Sequence, residues 1–578
     1  MERSSKSAEE KSTALRSKEI NCPASPLLFN FPPPQRARFS PSSDPVARIS
    51  EQAAEGREMS VHHQFTTRGI KHEFLTTYTN DNVHGSIELC PLTKALIDTR
   101  HVQRLRELKQ LGAADLTYIN ATHTRFEHSL GVMYLSEQIL LSIIKKQPKL
   151  NVTPKDVLCV KIAGLLHDLG HGPYSHVYDG LFRTQLMQSK KRKTLVGDDD
   201  LSNDKIMDGW AHEDASLMMI DSMLADLGLK IDESNLDEPL RQIGDGIDAR
   251  RFGLKADVSE VAFDDNSDKD GESDSGDYDD ESPLPMNKVL TSRDWIFIKE
   301  CIVGGPLPPI GMSIAKFKAS AECRHDDFIG RPQYLNDTCL YKEFLYDVVS
   351  NRHSGLDVDK MDYLARDTLK AHGSNCVADL LPKLIEKAFV AYGEPPCDKN
   401  GQREKLLMIC YPNELVQNAM SFFEKRYQEH QRLYTHQKTS RFHYMFCDIL
   451  LLAEPYFRLR TSSNDNISIS TCMVNSEAYL LLTDSVIDKI ENTASSELRP
   501  ARDLIQKYRK HKKYEKVGVE LIKKDQAWTE RLWEMSEDEI LDEILKLRRV
   551  DDGRDINRDD IIVEKRQIHH GMKEKNRK

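Results

Sequence analysis

An apolar run that stops abruptly on two polar residues sets the strongest limit on how this chain can fold. Ile162-Ala163-Gly164-Leu165-Leu166 is followed at once by His167-Asp168, and Gly170, Gly172 and Pro173 then break the helix. An imidazole and a carboxylate carried into a core on the end of a helix need partners there. A metal ion is the most economical partner, because imidazole nitrogen together with carboxylate oxygen suits Zn, Fe, Mn or Co better than Ca. The other His-Asp pair, His325-Asp326, sits in the polar stretch Arg324-His325-Asp326-Asp327 and reads as a solvated loop.

The surrounding pattern is helical. Leu92, Leu96 and Ile97, then Val102, Leu105, Leu108 and Leu111, fall at helical spacing, so the chain from about Leu89 to Leu181 predicts several packed helices. The pattern resumes at Trp295 to Ile302, continues through Phe344 to Leu369 and is clearest from Asn413 to Leu452. After that come a β-like run, Ile467 to Val474, helices near Ser476 to Asn492 and Glu497 to Tyr508, and a charged tail. The expected fold is mainly α, with a helical core over 61–460 and a smaller α+β C-terminal lobe over 461–578. Residues 1–60, rich in Ser, Pro and charge, cannot bury enough surface to offset their ordering entropy and read as a disordered tail.

Charge is concentrated in one place. The 578 residues carry a net −11, and residues 257–282 alone, with twelve acids and one lysine, account for all of it. The neutral remainder argues against a protein built mainly to bind nucleic-acid backbones but permits local cations around an anionic small molecule. The acidic run belongs to a solvated insertion over 233–286, and a shorter basic and acidic loop is expected at 190–205. Within that loop, Lys190-Lys191-Arg192-Lys193 has the form of a nuclear import signal but reads more readily as a solvated basic loop, and placement in the nucleus or cytoplasm is expected. Eleven cysteines form no C-x-x-C pair, which argues against zinc ribbons and thioredoxin-type motifs. No apolar stretch is long enough for a membrane span, and no Gly-Lys dipeptide exists to build a P-loop.

Three further segments offer polar faces. Arg125 and His128 stand at i and i+3, with Thr122 or Thr124 available as N-cap. Asp359, Tyr363 and Asp367 fall on one helix face, and Arg426, His430 and Tyr434 repeat that spacing while Phe422 and Phe423 can face a core. Taken alone, His128 reads as a satisfied core histidine and the Arg426 stripe as a solvated helix face; their order in the chain changes that.

Read in order, the pieces resemble the HD-domain metal-dependent phosphohydrolases, named for a His…His-Asp…Asp ligand set. They are closer still to the eukaryotic deoxynucleoside triphosphate triphosphohydrolases that pair a sterile alpha motif with an HD domain. The resemblance is carried by Asn80-Asp81-Asn82-Val83-His84-Gly85, Gln103-Arg104-Leu105-Arg106 and Lys109-Gln110-Leu111-Gly112. It continues through Arg125-Phe126-Glu127-His128-Ser129-Leu130-Gly131, His167-Asp168-Leu169-Gly170-His171-Gly172-Pro173, His212-Glu213, and Asp357-Val358-Asp359-Lys360 with Asp362-Tyr363 and Ala365-Arg366-Asp367.

The resemblance implies that His128, His167, Asp168 and Asp359 hold one divalent transition metal (Zn, Fe or Mn), with Mg accompanying the nucleotide. It implies that Arg125, Lys360 and Arg426 grip a triphosphate. His171, His176 and His212 would line the reacting phosphate, with Asp179 and Glu213 orienting or tuning them. Gln110, Leu111, Tyr363, Asp367, His430 and Tyr434 would hold the sugar and its 3′-hydroxyl, excluding the ribose 2′-hydroxyl by sterics and unpaired polar groups. The implied reaction is hydrolysis of a dNTP to deoxynucleoside and inorganic triphosphate, in a nucleotide-regulated homo-oligomer, a dimer or a tetramer, with weak or no nucleic-acid binding and no membrane association. No segment resembles the sterile alpha motif, so an HD enzyme without it is expected.

At the positions that bind activating nucleotides in that family, Asn80, Asp98, Gln103, Arg106, Asn418, Arg432, His436 and Arg502 match. Thr77, Glu414, Gln437 and Gln506 stand where lysines are expected, and Glu414 should repel a phosphate. Weaker or altered activation by GTP and dNTPs follows. The competing readings are an HD-type phosphohydrolase acting on a nucleic-acid end, cyclic nucleotide or nucleoside monophosphate, and a non-catalytic nucleotide or nucleic-acid sensor.

Overall fold

Burial on every side is what the apolar run around Ile162 requires, and the fold supplies it by ringing that run with other helices. The computed structural model describes residues 77–194, 209–243, 290–309, 312–314, 316, 342–393, 406–519, 527–546 and 557–566, and the statements below concern these. They fall within one unit, Thr66–Lys578. Helix α1 (Arg125–Lys146) lies along α2 (Pro154–Leu166), whose Val157, Val160, Ile162, Leu165 and Leu166 are all buried. α2 starts sharply because Pro154 occupies its first turn and Thr153 and Asp156 cap each other: the Asp156 N–H donates to Thr153 Oγ1 at 3.1 Å, and the Thr153 N–H to Asp156 Oδ2 at 2.8 Å.

Helix α3 (His212–Asp226) packs on α4 (Ser292–Val303), and its Ser216 hydroxyl donates to the His167 carbonyl at the end of α2. Helix α4 covers α2 and ends at Gly304 in the left-handed conformation. Helix α5 (Val358–His372) packs on α1. A Cβ added at Gly131 of α1 would stand 1.8 Å from Asp362 Oδ1 of α5, so the glycine is what lets these two helices approach. Helices α6 (Val416–Glu429), α7 (Gln437–Ala453) and α8 (Arg499–Arg509) follow, with α7 and α8 packed together.

The strands form only two-stranded antiparallel pairs among the described residues: β1 (Thr77–Asp81) with β2 (Gly85–Leu89), β3 (Leu229–Lys230) with β4 (Arg241–Gln242), β5 (Phe389–Gly393) with β6 (Leu406–Cys410), and β7 (Leu459–Arg460) with β8 (Asn466–Ile467). The fold is mainly α.

Several boundaries differ from the sequence expectation. Phe344 to Leu369 is not one helix: a single turn, Glu343–Leu345, is followed by irregular chain, and α5 begins only where the Asp357 side chain accepts the Lys360 N–H at 2.9 Å. Within Ile467 to Val474 only Ile467 is in a strand, and Thr471–Val474 is a 3₁₀ turn tied by serine hydroxyls that compete with ladder bonding. The basic run 190–193 continues the helix Arg183–Thr194 instead of lying in a loop. Residues 233–243 of the expected insertion are ordered through the pairing of β3 with β4. The tail contains two helices, Ala527–Glu534 and Glu537–Lys546. The 1–60 tail, the acidic run 257–282 and His325-Asp326 lie outside the described residues. No described helix is long and apolar enough to cross a membrane.

Candidate active site

The end of α2, the start of α1 and the start of α5 meet at one point. His128 Nε2 lies 3.1 Å from Asp359 Oδ1 and 3.5 Å from Asp168 Oδ2, while His167 Nε2 lies 3.3 Å from Asp168 Oδ1 and 3.6 Å from Asp359 Oδ1. Donors bound about 2.0–2.2 Å from one ion stand roughly 3–3.5 Å from each other, so His128, His167 and Asp168 are spaced to share a metal, and Asp359 stands beside both histidines. His167 is set up to ligate a metal. Its Nδ1–H donates to the Gly164 carbonyl at 2.8 Å, which fixes the tautomer, and its buried Nε2 finds no hydrogen-bond partner among the described residues. A lone pair is thereby aimed into the cluster.

His128 is held from behind. Its Nδ1–H donates to Asp362 Oδ2 at 2.7 Å, and Asp362 also accepts from His84 Nε2 at 2.6 Å and from Arg366 Nε and Nη2, each at 2.9 Å. Arg366 reaches on to Asp81 at 2.6 Å, the last residue of β1. Asp81 and Arg366 therefore tie the first hairpin to the second layer of the metal cluster. Burial opposes charge on His128, but hydrogen bonds to Asp359 and Asp362 outweigh it and push its pKa up to about 10. A proton there does electrostatically what a divalent cation would do between the same carboxylates. Burial likewise opposes ionisation of Asp362, yet Arg366 and the two histidines hold its carboxyl well below the usual range.

Beside this cluster stands a second one. Asp179 Oδ2 accepts from His212 Nδ1 at 2.9 Å and lies 3.7 Å from His171 Nδ1, while Asp179 Oδ1 is 3.4 Å from the exposed His176. His171 stacks on His212 with ring centroids 3.8 Å apart, and its Nε2 is 3.3 Å from Asp168 Oδ1, which joins the two clusters. A Cβ at Gly170 would meet the His212 carbonyl at 2.0 Å, so a glycine is needed for α3 to bring His212 this close. Burial, Arg125 and His212 hold the His171 imidazole well below its ordinary pKa. Burial acts the same way on His212, but Glu213, 3.5 Å away, and Asp179 overcome it and push the pKa up to about 9. Two stacked imidazoles thus sit in opposite protonation states at neutral pH. Arg125 forms an ion pair with Asp168 and donates through Nε to Ser175 Oγ at 2.9 Å. Thr124 occupies the N-cap of α1 without a capping hydrogen bond from its side chain.

The polar faces of α5 and α6 meet each other. Arg426 Nε donates to Tyr363 OH at 3.1 Å, and Tyr434 OH donates to Asp367 Oδ2 at 2.9 Å. His430 packs edge-on against Tyr434, and Lys360 pairs with Asp357 at 2.7 Å. Gln110 is buried with its Oε1 unpaired, beside the half-buried Leu111. Both His430–Tyr434 and Val177–Phe182, which carries Asp179, are π-helical turns. His123 was not anticipated from the sequence: its Nε2 bonds Asp367 Oδ1 at 2.7 Å, completing a His123–Asp367–Tyr434 chain. Its place in the motif ahead of Arg125, together with an aspartate on the far helix left without a partner, was the available signal.

The positions expected to bind activators are more dispersed. Arg106 donates to Gln103 at 2.9 Å and Gln103 to the Ile97 carbonyl at 2.8 Å, next to Asp98, which pairs with Lys94. Asn80 lies on β1, Asn418 on α6, Arg432 and His436 before α7, and Arg502 on α8. Of the positions lacking the expected lysine, Gln437 accepts from Lys516 and Gln506 donates to Glu491, while Thr77 and Glu414 are exposed.

The HD domain family model matches residues 125–228, the stretch that carries His128, His167 and Asp168. The chain thus carries an HD domain, which implies a divalent metal, and His128, His167 and Asp168 form a group that could hold one. It is similar to Deoxynucleoside triphosphate triphosphohydrolase SAMHD1 of Danio rerio, at 30% identity over 500 residues that make up 86% of this chain and 64% of that one. The Homo sapiens protein of the same name is 31% identical over 439 residues, 76% of this chain and 54% of the relative. A SAMHD1 homolog from Dictyostelium discoideum is 26% identical over 496 residues, 86% of this chain and 68% of the relative. The chain thus spans a little under two thirds of the length of the Danio rerio relative.

Proposed function

We propose that the chain is a metal-dependent dNTP triphosphohydrolase, releasing deoxynucleoside and inorganic triphosphate. The observation that carries this reading is the junction at Asp168: one carboxylate touches the metal cluster, the Arg125 guanidinium and the His171 imidazole. A metal site, a phosphate-binding cation and an imidazole that can orient a phosphate are thereby placed within one side chain of each other. The names of the relatives support the substrate class.

His128, His167, Asp168 and Asp359 would hold the metal, and two imidazoles with two carboxylates suit Zn, Fe or Mn, with Mg arriving on the nucleotide. When bound, that metal supplies Lewis-acid polarisation of a phosphoryl oxygen. Arg125, Lys360 and Arg426 offset the triphosphate charge in a partly desolvated cleft. Water attacks the α-phosphorus, the bond to the sugar 5′-oxygen breaks, and that oxygen takes a proton. His212 is charged at neutral pH, so it can supply that proton, while neutral His171 orients the phosphate and His176 stands exposed on the same Asp179.

On the sugar side, Asp367 and Tyr434, locked together and braced by His123, form a rigid polar wall with Tyr363 behind it. Such a wall suits the 3′-hydroxyl of a deoxyribose and rejects misplaced polar groups. GTP and dNTPs are the proposed activators of a homo-oligomer, with activation weakened by Glu414.

Purified protein incubated with each dNTP and NTP plus Mn or Mg, with products resolved by anion exchange, tests the reading. Inorganic triphosphate from dNTPs supports it. Pyrophosphate or monophosphate redirects it to another phosphoester, and tight nucleotide binding without turnover replaces it with a sensor.

A further inference from the structure

The turn that follows the His-Asp pair has a strained backbone and a distant support. Tyr174 (φ 54°) and Ser175 (φ 56°) are consecutive non-glycine residues in the left-handed region, which L side chains rarely adopt, and strain of this kind persists only where the surroundings enforce it. The enforcing group is Asp484, more than 300 residues away. Its Oδ1 accepts the Tyr174 N–H at 2.7 Å and its Oδ2 accepts the Lys109 N–H at 3.0 Å. Tyr174 returns a bond from its hydroxyl to the Asp484 carbonyl at 3.3 Å, and its ring stacks on Phe446 at 3.7 Å.

Ser175 closes the circuit: its Oγ donates to the Lys109 carbonyl at 2.8 Å and accepts from Arg125 Nε at 2.9 Å. Among the described residues no cation lies within ion-pair distance of Asp484, since the Lys109 ammonium is turned to Asp115 at 2.6 Å. Even a half-buried carboxylate without a counter-ion costs stability, so packing alone gives no reason for an acid here. Neighbouring residues reinforce the same turn. Tyr479 OH donates to the Gly170 carbonyl at 2.7 Å, and Arg104 donates to the carbonyls of His171 at 2.9 Å and Leu482 at 2.7 Å.

We propose that Asp484 is a positioning residue for the active site, holding the Tyr174–Ser175 turn in its left-handed form so that Ser175 aims Arg125 at the substrate phosphates. This rests on the dNTPase reading for the substrate, though not for the clamp itself. The variants are Asp484→Ala, which removes both acceptors, Asp484→Asn, which keeps one, and Ser175→Ala, which cuts the link to Arg125.

The first readout is the KM-against-kcat split on a dNTP. Asp484→Ala is expected to raise KM and to lower kcat/KM by on the order of 100-fold, as a displaced binding group does. Asp484→Asn should shift both in the same direction by less, and Asp484→Ala combined with Ser175→Ala should lose little beyond the larger single effect. A fall in the folded fraction would lower the apparent kcat and leave KM alone. The second readout is hydrogen–deuterium exchange of the peptide covering 172–177, expected to quicken in both Asp484 variants while α1 and α2 exchange as in wild type. Wild-type KM in both variants, or exchange unchanged at 172–177, overturns the clamp. A wild-type protein that turns over no dNTP removes the dNTPase reading, and the exchange measurement then decides the clamp alone. If Asp484→Ala does not fold, Asp484→Asn carries both readouts.

Discussion

Replacing Asp362 by Asn tests whether the second layer behind His128 sets the metal affinity. The carboxylate takes four donors: His128 Nδ1, His84 Nε2 and two from Arg366, at 2.6 to 2.9 Å. Asparagine fills the same space but offers one acceptor oxygen, so some of these donors lose their acceptor and Arg366 keeps only Asp81 as counter-charge. Breaking a buried ion pair costs roughly 3–5 kcal/mol, and because Asp81 remains the low end, about 3 kcal/mol, is expected. The loss of the His128 partner should weaken metal binding by roughly 10–100-fold. The sign of the pH dependence follows from the depressed Asp362 pKa. Its stabilisation is complete above the unfolded carboxyl value near ~4 and fades as pH falls through the lower folded value, so the variant should lose that acid-labile part of the stability curve. Competition titration of Mn or Zn against a chromogenic chelator, with urea melts at several pH values, measures both effects. An Asp362→Asn protein with wild-type metal affinity and wild-type acid sensitivity would refute the reasoning.

The other outcomes can be checked in parallel. His167→Ala, which deletes the unpaired Nε2, should abolish stoichiometric metal binding measured by elemental analysis, and dialysis of the wild type against a strong chelator should remove activity that Mn restores. With the His212 pKa pushed up to about 9, the protonated form prevails at neutral pH, so kcat should decline as pH rises through about 9; a profile flat to pH 10 would count against His212 as the proton source. Tyr434→Phe removes one hydrogen bond to Asp367, worth about 0.5–1.5 kcal/mol, and should raise KM for dNTPs by roughly 2- to 12-fold while narrowing the preference over NTPs. Gel filtration with GTP and dATP should show little assembly, and full GTP-driven tetramerisation would show that Glu414 does not repel the activator.

The first layer of the site was legible because its chemistry is written locally. His167-Asp168 at the end of an apolar run, Arg125 with His128, and Asp359 with Tyr363 and Asp367 each announce a polar group carried into a core, and the fold brings them together. The second layer was hidden by sequence distance. His84 meets Asp362 across 278 residues and His123 meets Asp367 across 244, and single-sequence periodicity contains no term for such pairings. Helix limits failed where side chains or backbone strain intervene. Asp357 delays α5 by capping it late, and the stretch from Asn413 to Leu452 is broken between α6 and α7 by the turn at His430–Tyr434 and by Thr435 and His436.

The π-helical turns at Val177–Phe182 and His430–Tyr434 each hold more residues than an α-helix of the same rise would. Shortening either by a single residue would let it relax into ordinary α geometry with the flanking chain keeping its register, so that only the side chains within the turn are re-aimed. Asp179 or Tyr434 would then face away from the cleft while the core packing survived. One-residue deletions at these two places are thus a route to a well-folded, catalytically silent version of the protein, a cleaner control than removing a metal ligand.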